Sequence, residues 1–332
     1  MKAMILAAGF GTRLFPLTID RTKPAIPFMG KPLVGYVAEY VAKFGFKEVV
    51  VNLHHQPESV MKALGDGSDF GVKIHYTYEE PKILGTAGAL DNARSLLEDE
   101  TFLIANGKII TDIDINEALE THRKTGAIAT MVLKSNENFE KFTDVLVEDS
   151  MIKGFGEGFP DRSMPRDSES AVPMMFTGIQ ILEPEVFDYI PRGVYSDIVP
   201  TFYNPAIKKG ETIAAHVTNG HWYELSTIQR YLDITLKMLN GEPKRNVIGA
   251  NCVIADSAQI DDSIVWDNVR IEGDARIARS IIGDDVTIQT GETYENVAIV
   301  RGDMLDHCNE IPEKALKGTM IGENYVVPLN QE

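Results

Sequence analysis

The chain has 332 residues, is 44% hydrophobic and 24% charged, and carries a formal net charge of −17. That length holds a sizeable core and leaves room for two domains. Such acidity argues against nucleic acid or anionic lipid as a partner, and no run of about eighteen apolar residues offers a membrane span.

The two cysteines, Cys252 and Cys308, stand far apart. They point to reduced thiols in a cytoplasm rather than to a disulfide frame. A phosphorylated ligand would have to be met by local cations working against the global field.

Taken in chain order, "MKAMILAAGFGTRL" reads as a strand running into a glycine loop rather than as a signal peptide, because its apolar run is short and breaks into glycines. "LVGYVAEYVAKFG" has apolar positions at helical spacing and ends on Gly45. "EVVVNL" is a strand, "PESVMKALGDG" a helix and "KIHYTY" a strand. "ALDNARSLLED" is a helix, "TFLIAN" a strand, "INEALETHRKTG" a helix and "IATMVL" a strand. This βαβα rhythm predicts a parallel, doubly wound sheet over residues 1–240, with ligands beyond the carboxyl ends of the strands.

From Val247 the texture changes. Aliphatic residues fall at 248, 254, 260, 265, 271, 277, 282 and 288, spaced 6, 6, 5, 6, 6, 5 and 6. A six-residue repeat of this kind predicts a parallel β-helix over 247–330 rather than a sandwich. "MIGENYVV" could add a last coil. An open end of such a helix exposes strand edges and invites self-association, so a homo-oligomer is expected.

The glycine loop carries the chemistry. Gly9 and Gly11 allow tight turning and close approach of an anion, and Arg13 and Lys23 supply positive charge that the acidic body lacks. "LAAGFGTRLFPLT" with "KPAIPFMGKPLV" resembles the sugar-1-phosphate nucleotidylyltransferases. So do "EEPKILGTAGAL" at 79–90 and "MFTGIQILEPEVFDYIP" at 175–191. "LGTAGAL" points toward the mannose-1-phosphate guanylyltransferase-like branch. The resemblance implies a Rossmann-like doubly wound mixed sheet followed by a left-handed parallel β-helix. It also implies a reaction in which a sugar-1-phosphate oxygen attacks the α-phosphorus of an NTP, GTP ahead of UTP, and pyrophosphate leaves.

On the same resemblance, Arg13 would hold the β- and γ-phosphates and Lys23 would reach the α-phosphate. Leu6, Ala8, Gly9, Gly11, Thr12, Gly85, Thr86, Asn106 and Gly107 would contact the nucleotide. Glu157, Thr177 and Gly178 would contact the sugar. Chemistry alone adds Glu79 or Glu80, since a carboxylate can accept from guanine N1–H and N2–H₂ together.

Three positions depart from the family pattern. Where the family reads Asn-Gly-Asp, with Mg²⁺ bound by the Asp, this chain reads Asn106-Gly107-Lys108. The second ligand of the family's Trp-x-Asp becomes Glu224 after Trp222, and a sugar-phosphate lysine is replaced by Gly158. An ammonium cannot ligate Mg²⁺, which wants hard oxygens at about 2.1 Å. Three readings stay open. Lys108 could stand in for the metal in a ligand-binding, catalytically impaired homologue. Asp112 or Asp114 could take over metal binding in a working enzyme. Lys108 could be a natural or engineered alteration of an otherwise ordinary enzyme. An interaction protein that docks its β-helix on a partner is a further alternative.

His54 and His55, adjacent on a strand end, point to opposite faces and make a poor metal pair. Trp222 reads as a packed aromatic before a sugar platform, and residues 163–173 as a solvated loop before a lid.

Overall fold

The structure is a computed structural model that describes residues 1–137, 139–156, 173–241, 245–308 and 310–329. By contacts the chain divides into two compact units. One comprises Met1–Ala8, Tyr36–His54 and Leu64–Trp222; the other comprises Gly9–Gly35, His55–Ala63 and Tyr223–Glu332.

The first unit is built on a nine-stranded sheet. Its strands in chain order are β1 (Lys2–Leu6), β2 (Glu48–Leu53), β3 (Lys73–Tyr78), β4 (Phe102–Asn106), β5 (Ala129–Ser135), β6 (Asp144–Glu148), β7 (Met151–Phe155), β8 (Met174–Leu182) and β9 (Ile213–Val217). The spatial order is β3-β2-β1-β4-β8-β5-β9-β7-β6. Strands β3, β2, β1 and β4 run parallel, as the βαβα rhythm predicts.

The sheet as a whole is mixed, as the family resemblance implies, although the βαβα rhythm alone points to a parallel one. Strand β8 inserts antiparallel between β4 and β5, and β6 and β7 form an antiparallel pair. The rhythm read from the first 130 residues could not show this, because β6, β7 and β8 all lie beyond it. Met4, Val50, Phe102, Ile104, Met131 and Leu182 are buried at the centre of this unit's core. Each such side chain contributes about 1.5–3 kcal/mol of burial.

The predicted helix over 89–99 is broken into two, Gly85–Asn92 and Arg94–Leu97. The other helices, Leu33–Lys43, Pro57–Leu64 and Ile115–Thr125, fall where the spacing places them. In the last of these Asp114 caps the N-terminus by accepting from the Asn116 N–H at 2.8 Å.

The second unit carries the β-helix. Val247, Ile264, Ile281 and Ala298 stack in parallel register, each seventeen residues after the last. Val253, Arg270 and Thr287 form the second face, and Gln259, Arg276 and Thr293 the third. The corners keep the same period. Asn251, Asn268 and Asp285 have positive φ, as do Asp262, Arg279 and Asn296. Asn and Asp tolerate that left-handed conformation best among non-glycine residues.

Inside the prism, Ser263 N–H donates to Asn246 Oδ1, Ser280 N–H to Ser263 Oγ and Val297 N–H to Ser280 Oγ, so a polar ladder fixes the register. Ile271, Ile277, Ile282, Ile288 and Ile299 fill the rest. The closing segment is not a further coil: Thr319–Ile321 and Asn324–Pro328 form a hairpin that pairs antiparallel with Val297–Arg301. Cys252 and Cys308 are both free thiols. Among the described residues no helix is long and apolar enough to cross a membrane.

Candidate functional site

In the first unit the ends of the parallel strands are tied by a buried relay. Ala7 N–H donates to Asn52 Oδ1 at 2.8 Å. Asn52 Nδ2 donates to Glu79 Oε1 at 2.6 Å, and Leu84 N–H donates to Glu79 Oε2 at 2.6 Å. His54 Nδ1 lies 2.7 Å from the Glu79 carbonyl. The relay runs from the end of β1, across the end of β2, to the loop before Gly85. It separates two carboxylates that are equivalent in sequence. Glu79 is 1% exposed and serves the loop, whereas Glu80 is exposed and its carboxylate stands clear of the core. Asn52 escapes the sequence reading; its one signal is a polar residue near the end of the apolar strand "EVVVNL".

The loop at 84–88 is latched to residues 196–198. Ala87 and Gly88 N–H groups donate to the Ser196 carbonyl at 2.9 and 3.0 Å, and Ser196 N–H donates to the Leu84 carbonyl at 2.8 Å. Thr86 Oγ1 donates to Asp197 Oδ1 at 3.4 Å and accepts from Ile198 N–H at 2.8 Å. The Thr86 hydroxyl is therefore spent on the latch, and the residue shapes the loop rather than offering its side chain to a base. A Cβ on Gly85 would stand 2.7 Å from the Ser196 carbonyl, so the turn is closed down on this neighbour.

At the end of β4, Gly107 N–H donates to the Leu6 carbonyl at 2.9 Å. This puts Asn106 at the carboxyl end of β4, with Gly107 and the half-buried Lys108 just past it. Gly178 packs on them at φ +81°, where a Cβ would lie 2.2 Å from Asn106 Nδ2. Thr177 is fully buried, and its hydroxyl donates to the Val132 carbonyl at 2.7 Å. Its carbonyl accepts from Trp222 Nε1 at 2.8 Å. Thr177 and Trp222 thus hold the strand that presents Gly178, and both side chains are buried. Glu157 and residues 163–172 lie outside the described residues.

The donor set does not fit Mg²⁺. Lys108 brings an ammonium to the position of the expected carboxylate. Asp112 Oδ1 accepts from His221 N–H at 2.6 Å, and Asp112 Oδ2 lies 2.9 Å from His221 Nδ1. Partial burial raises the Asp112 pKa, but the bonds and charge of His221 outweigh it and hold the carboxyl below its ordinary range. Asp114 is taken up as a helix cap. Glu224, in the second unit, is a buried carboxylate on the strand Trp222–Glu224. Among the described residues no group of three or more His, Cys, Asp and Glu side chains could hold a metal ion.

The glycine segment belongs to the second unit. Gly9 is exposed and directly follows the buried Ala8. Gly11 has φ +65°, and a Cβ there would come within 3.2 Å of both Lys23 Cβ and Thr18 Cγ2. Only a glycine lets the stem of Lys23 pack on the loop. Lys23 is 8% exposed, while Arg13, on the short helical turn Thr12–Leu14, is exposed. Phe10 lies 5.2 Å, ring to ring, from His55.

Comparison with known proteins identifies the fold and the family. The nucleotidyl transferase family model matches residues 2–241, and the GMPPB C-terminal domain model matches residues 243–327. A UTP–glucose-1-phosphate uridylyltransferase from Synechocystis is 30% identical over 90% of this chain and 82% of its own length. Mannose-1-phosphate guanylyltransferase 1 of Arabidopsis thaliana is 26% identical over 98% of this chain and all of its own. The crystal structure of a candidate glucose-1-phosphate thymidylyltransferase from Bacillus anthracis shares the fold, with a TM-score of 0.60 at 23% identity over 70% of this chain and 94% of that one. A family model that spans the sheet, the glycine loop and the loop at 79–90 leaves one conclusion: this chain belongs to the nucleotidyl transferase family.

Proposed function

We propose that the chain binds a nucleoside triphosphate and a sugar-1-phosphate and joins them. The sugar phosphate oxygen attacks the α-phosphorus, the bond to the β-phosphate oxygen breaks, and pyrophosphate leaves. In-line transfer of this kind depends on positioning and charge neutralisation. By the family resemblance Arg13 and Lys23 take the phosphates; within the first unit, Lys108 brings a positive charge to the strand end. Glu80 accepts from the base, with the relay of Ala7, Asn52 and Glu79 setting the loop. Gly178 lets the backbone approach the sugar. Guanine leads uracil because of "LGTAGAL", and mannose-1-phosphate follows by branch. The observation that carries the reading is the alignment of Leu6 and Asn106 at the carboxyl ends of β1 and β4, with Gly107 and Lys108 directly beyond, where sheets of this class keep their ligands. Reduced thiols fit a cytoplasmic enzyme, and the β-helix edges fit a homo-oligomer.

One observation favours a second reading, a ligand-binding member with impaired turnover: Lys108 and the engaged Asp112 leave Mg²⁺ poorly provided for. The test is pyrophosphate release from GTP or UTP with mannose- or glucose-1-phosphate, with and without Mg²⁺, beside Lys108→Asp. A charge of one and a charge of two about 4 Å apart repel by about 2 kcal/mol even in water and about 8 kcal/mol at an effective dielectric of 20. Lys108→Asp is therefore expected to raise Mg²⁺-dependent release by about thirtyfold or more. A parent enzyme that is already fast and steeply Mg²⁺-dependent overturns the role given to Lys108.

A further inference from the structure

Arg21, two residues before Lys23, is a half-buried cation to which the proposed function gives no role. Its guanidinium is held on three sides within the second unit. Nε donates to Asp20 Oδ1 at 2.9 Å, and Nη2 donates to Asp20 Oδ2 at 2.9 Å and to Asp284 Oδ2 at 2.5 Å. The Trp266 ring lies 4.9 Å from Cζ, within cation–π range. Asp284 and Trp266 belong to the β-helix. Asp284 is itself fixed, since its Oδ1 accepts from Asp267 N–H at 2.9 Å in the ladder one coil back.

Trp266 is fixed in turn. Its Nε1 donates to Tyr231 Oη at 3.1 Å, and Tyr231 Oη donates to the Pro27 carbonyl at 2.5 Å. The same ring system therefore grips the segment on both sides of Lys23, at Arg21 and at Pro27. Helix Pro57–Leu64 and the turn before it hold the segment from elsewhere. Thr22 N–H donates to Ser59 Oγ at 3.1 Å, and Gln56 Nε2 donates to the Ile19 carbonyl at 2.5 Å. Burial works against the charge on Arg21, and the two aspartates more than offset it; the same pairing holds Asp20 below its ordinary range.

We infer that the β-helix is a jig for the phosphate-binding segment: Asp284 and Trp266 fix Arg21, Arg21 fixes the backbone at Thr22 and Lys23, and Lys23 in turn sits against Gly11. Arg21, Asp284 and Trp266 are positioning residues and touch no phosphate. The inference rests on the reading of Arg13 and Lys23 as phosphate ligands. Its physical basis is that a misplacement of about 1 Å at a charged ligand costs large factors in binding and rate, and that a planar guanidinium between carboxylates has little angular freedom.

The test uses the full chain and calorimetric titration with GTP, UTP, tripolyphosphate and the two nucleosides. Asp284→Asn keeps the acceptor for Asp267 and turns the other atom into a donor facing the guanidinium. Arg21→Lys keeps the charge and loses the fork. Both variants are expected to weaken triphosphate and tripolyphosphate binding about tenfold to a hundredfold, with nucleoside affinity unchanged. Asp284→Glu is expected to restore part of the loss. Unchanged tripolyphosphate affinity in both variants overturns the inference while leaving the proposed function standing. Equal losses for nucleoside and tripolyphosphate also overturn it, since that is general damage. A parent chain that binds no triphosphate overturns the proposed function, and the inference falls with it.

Discussion

The buried relay makes Glu79→Gln a sharp test of how the loop at 79–88 is held. The wild-type carboxylate gives one oxygen to Asn52 Nδ2 and the other to Leu84 N–H, both at 2.6 Å, in a site that is 1% exposed. A glutamine offers one acceptor and one donor. If its oxygen keeps Asn52, its amide nitrogen faces the Leu84 N–H, donor against donor; the flipped amide loses Asn52 instead. Either way one buried charge-assisted bond is lost and a buried donor is left unpaired, at about 1–3 kcal/mol. Taking about 2 kcal/mol, local opening of the loop rises about thirtyfold. Hydrogen exchange read by mass spectrometry over peptides spanning 79–88 measures this directly, and triphosphate affinity is expected to fall by a similar factor where binding needs the closed loop. Exchange indistinguishable from the parent, with full affinity, would refute the relay as the element that sets the loop.

Three further outcomes are expected. Gly178→Ala forces a left-handed alanine whose Cβ meets Asn106 Nδ2 at 2.2 Å; a stability loss of about 1–3 kcal/mol and weaker ligand binding are predicted, read by denaturant titration and calorimetry, and an unperturbed variant would contradict the packing. The Asp112–His221 tie has a depressed carboxyl. Its contribution is therefore present above the unfolded-chain value and lost as pH falls through the lower folded one. The His221 amide shift, followed by NMR through an acid titration, should move with a midpoint below the ordinary carboxylate range; a midpoint at or above that range counts against the tie. On the role proposed for Lys108, triphosphate affinity of the parent chain should change less than about threefold when Mg²⁺ is removed with a chelator; a fall of tenfold or more would show a metal ion doing that work.

How much was legible in sequence depended on the range of the interaction. Strands such as "EVVVNL" and "KIHYTY" match Glu48–Leu53 and Lys73–Tyr78 residue for residue, because alternating or continuous β-branched runs are a local signal. The seventeen-residue coil was legible for the same reason, since each spacing of 6, 6 and 5 closes one turn of the prism. The closing hairpin was not. "MIGENYVV" carries the aliphatics of a coil, but Gly322, at φ +58°, reverses the chain between its two strands. The roles of Glu79 and Thr86 were hidden because Asn52 and Asp197 reach them from distant sequence. Thr177 looked like a sugar contact for its position beside Gly178, and only the register with Val132 turns its hydroxyl into the sheet.

Lys108 is the departure that sequence exposed most plainly, and charge accounting explains how a chain can carry it. A carboxylate with a bound divalent ion presents a net charge of about +1 to a phosphate, and a lysine presents the same. The field at the strand end is thus preserved when Asn-Gly-Asp becomes Asn106-Gly107-Lys108, in a molecule whose overall charge is −17. Coordination is what changes. A metal fixes phosphate oxygens in an octahedron, whereas an ammonium on four methylenes offers three rotatable donors and no fixed geometry. Binding depends mainly on the field, and in-line transfer on the geometry. The substitution should therefore separate the two, leaving triphosphate affinity close to that of a metal-using relative while lowering the rate of transfer.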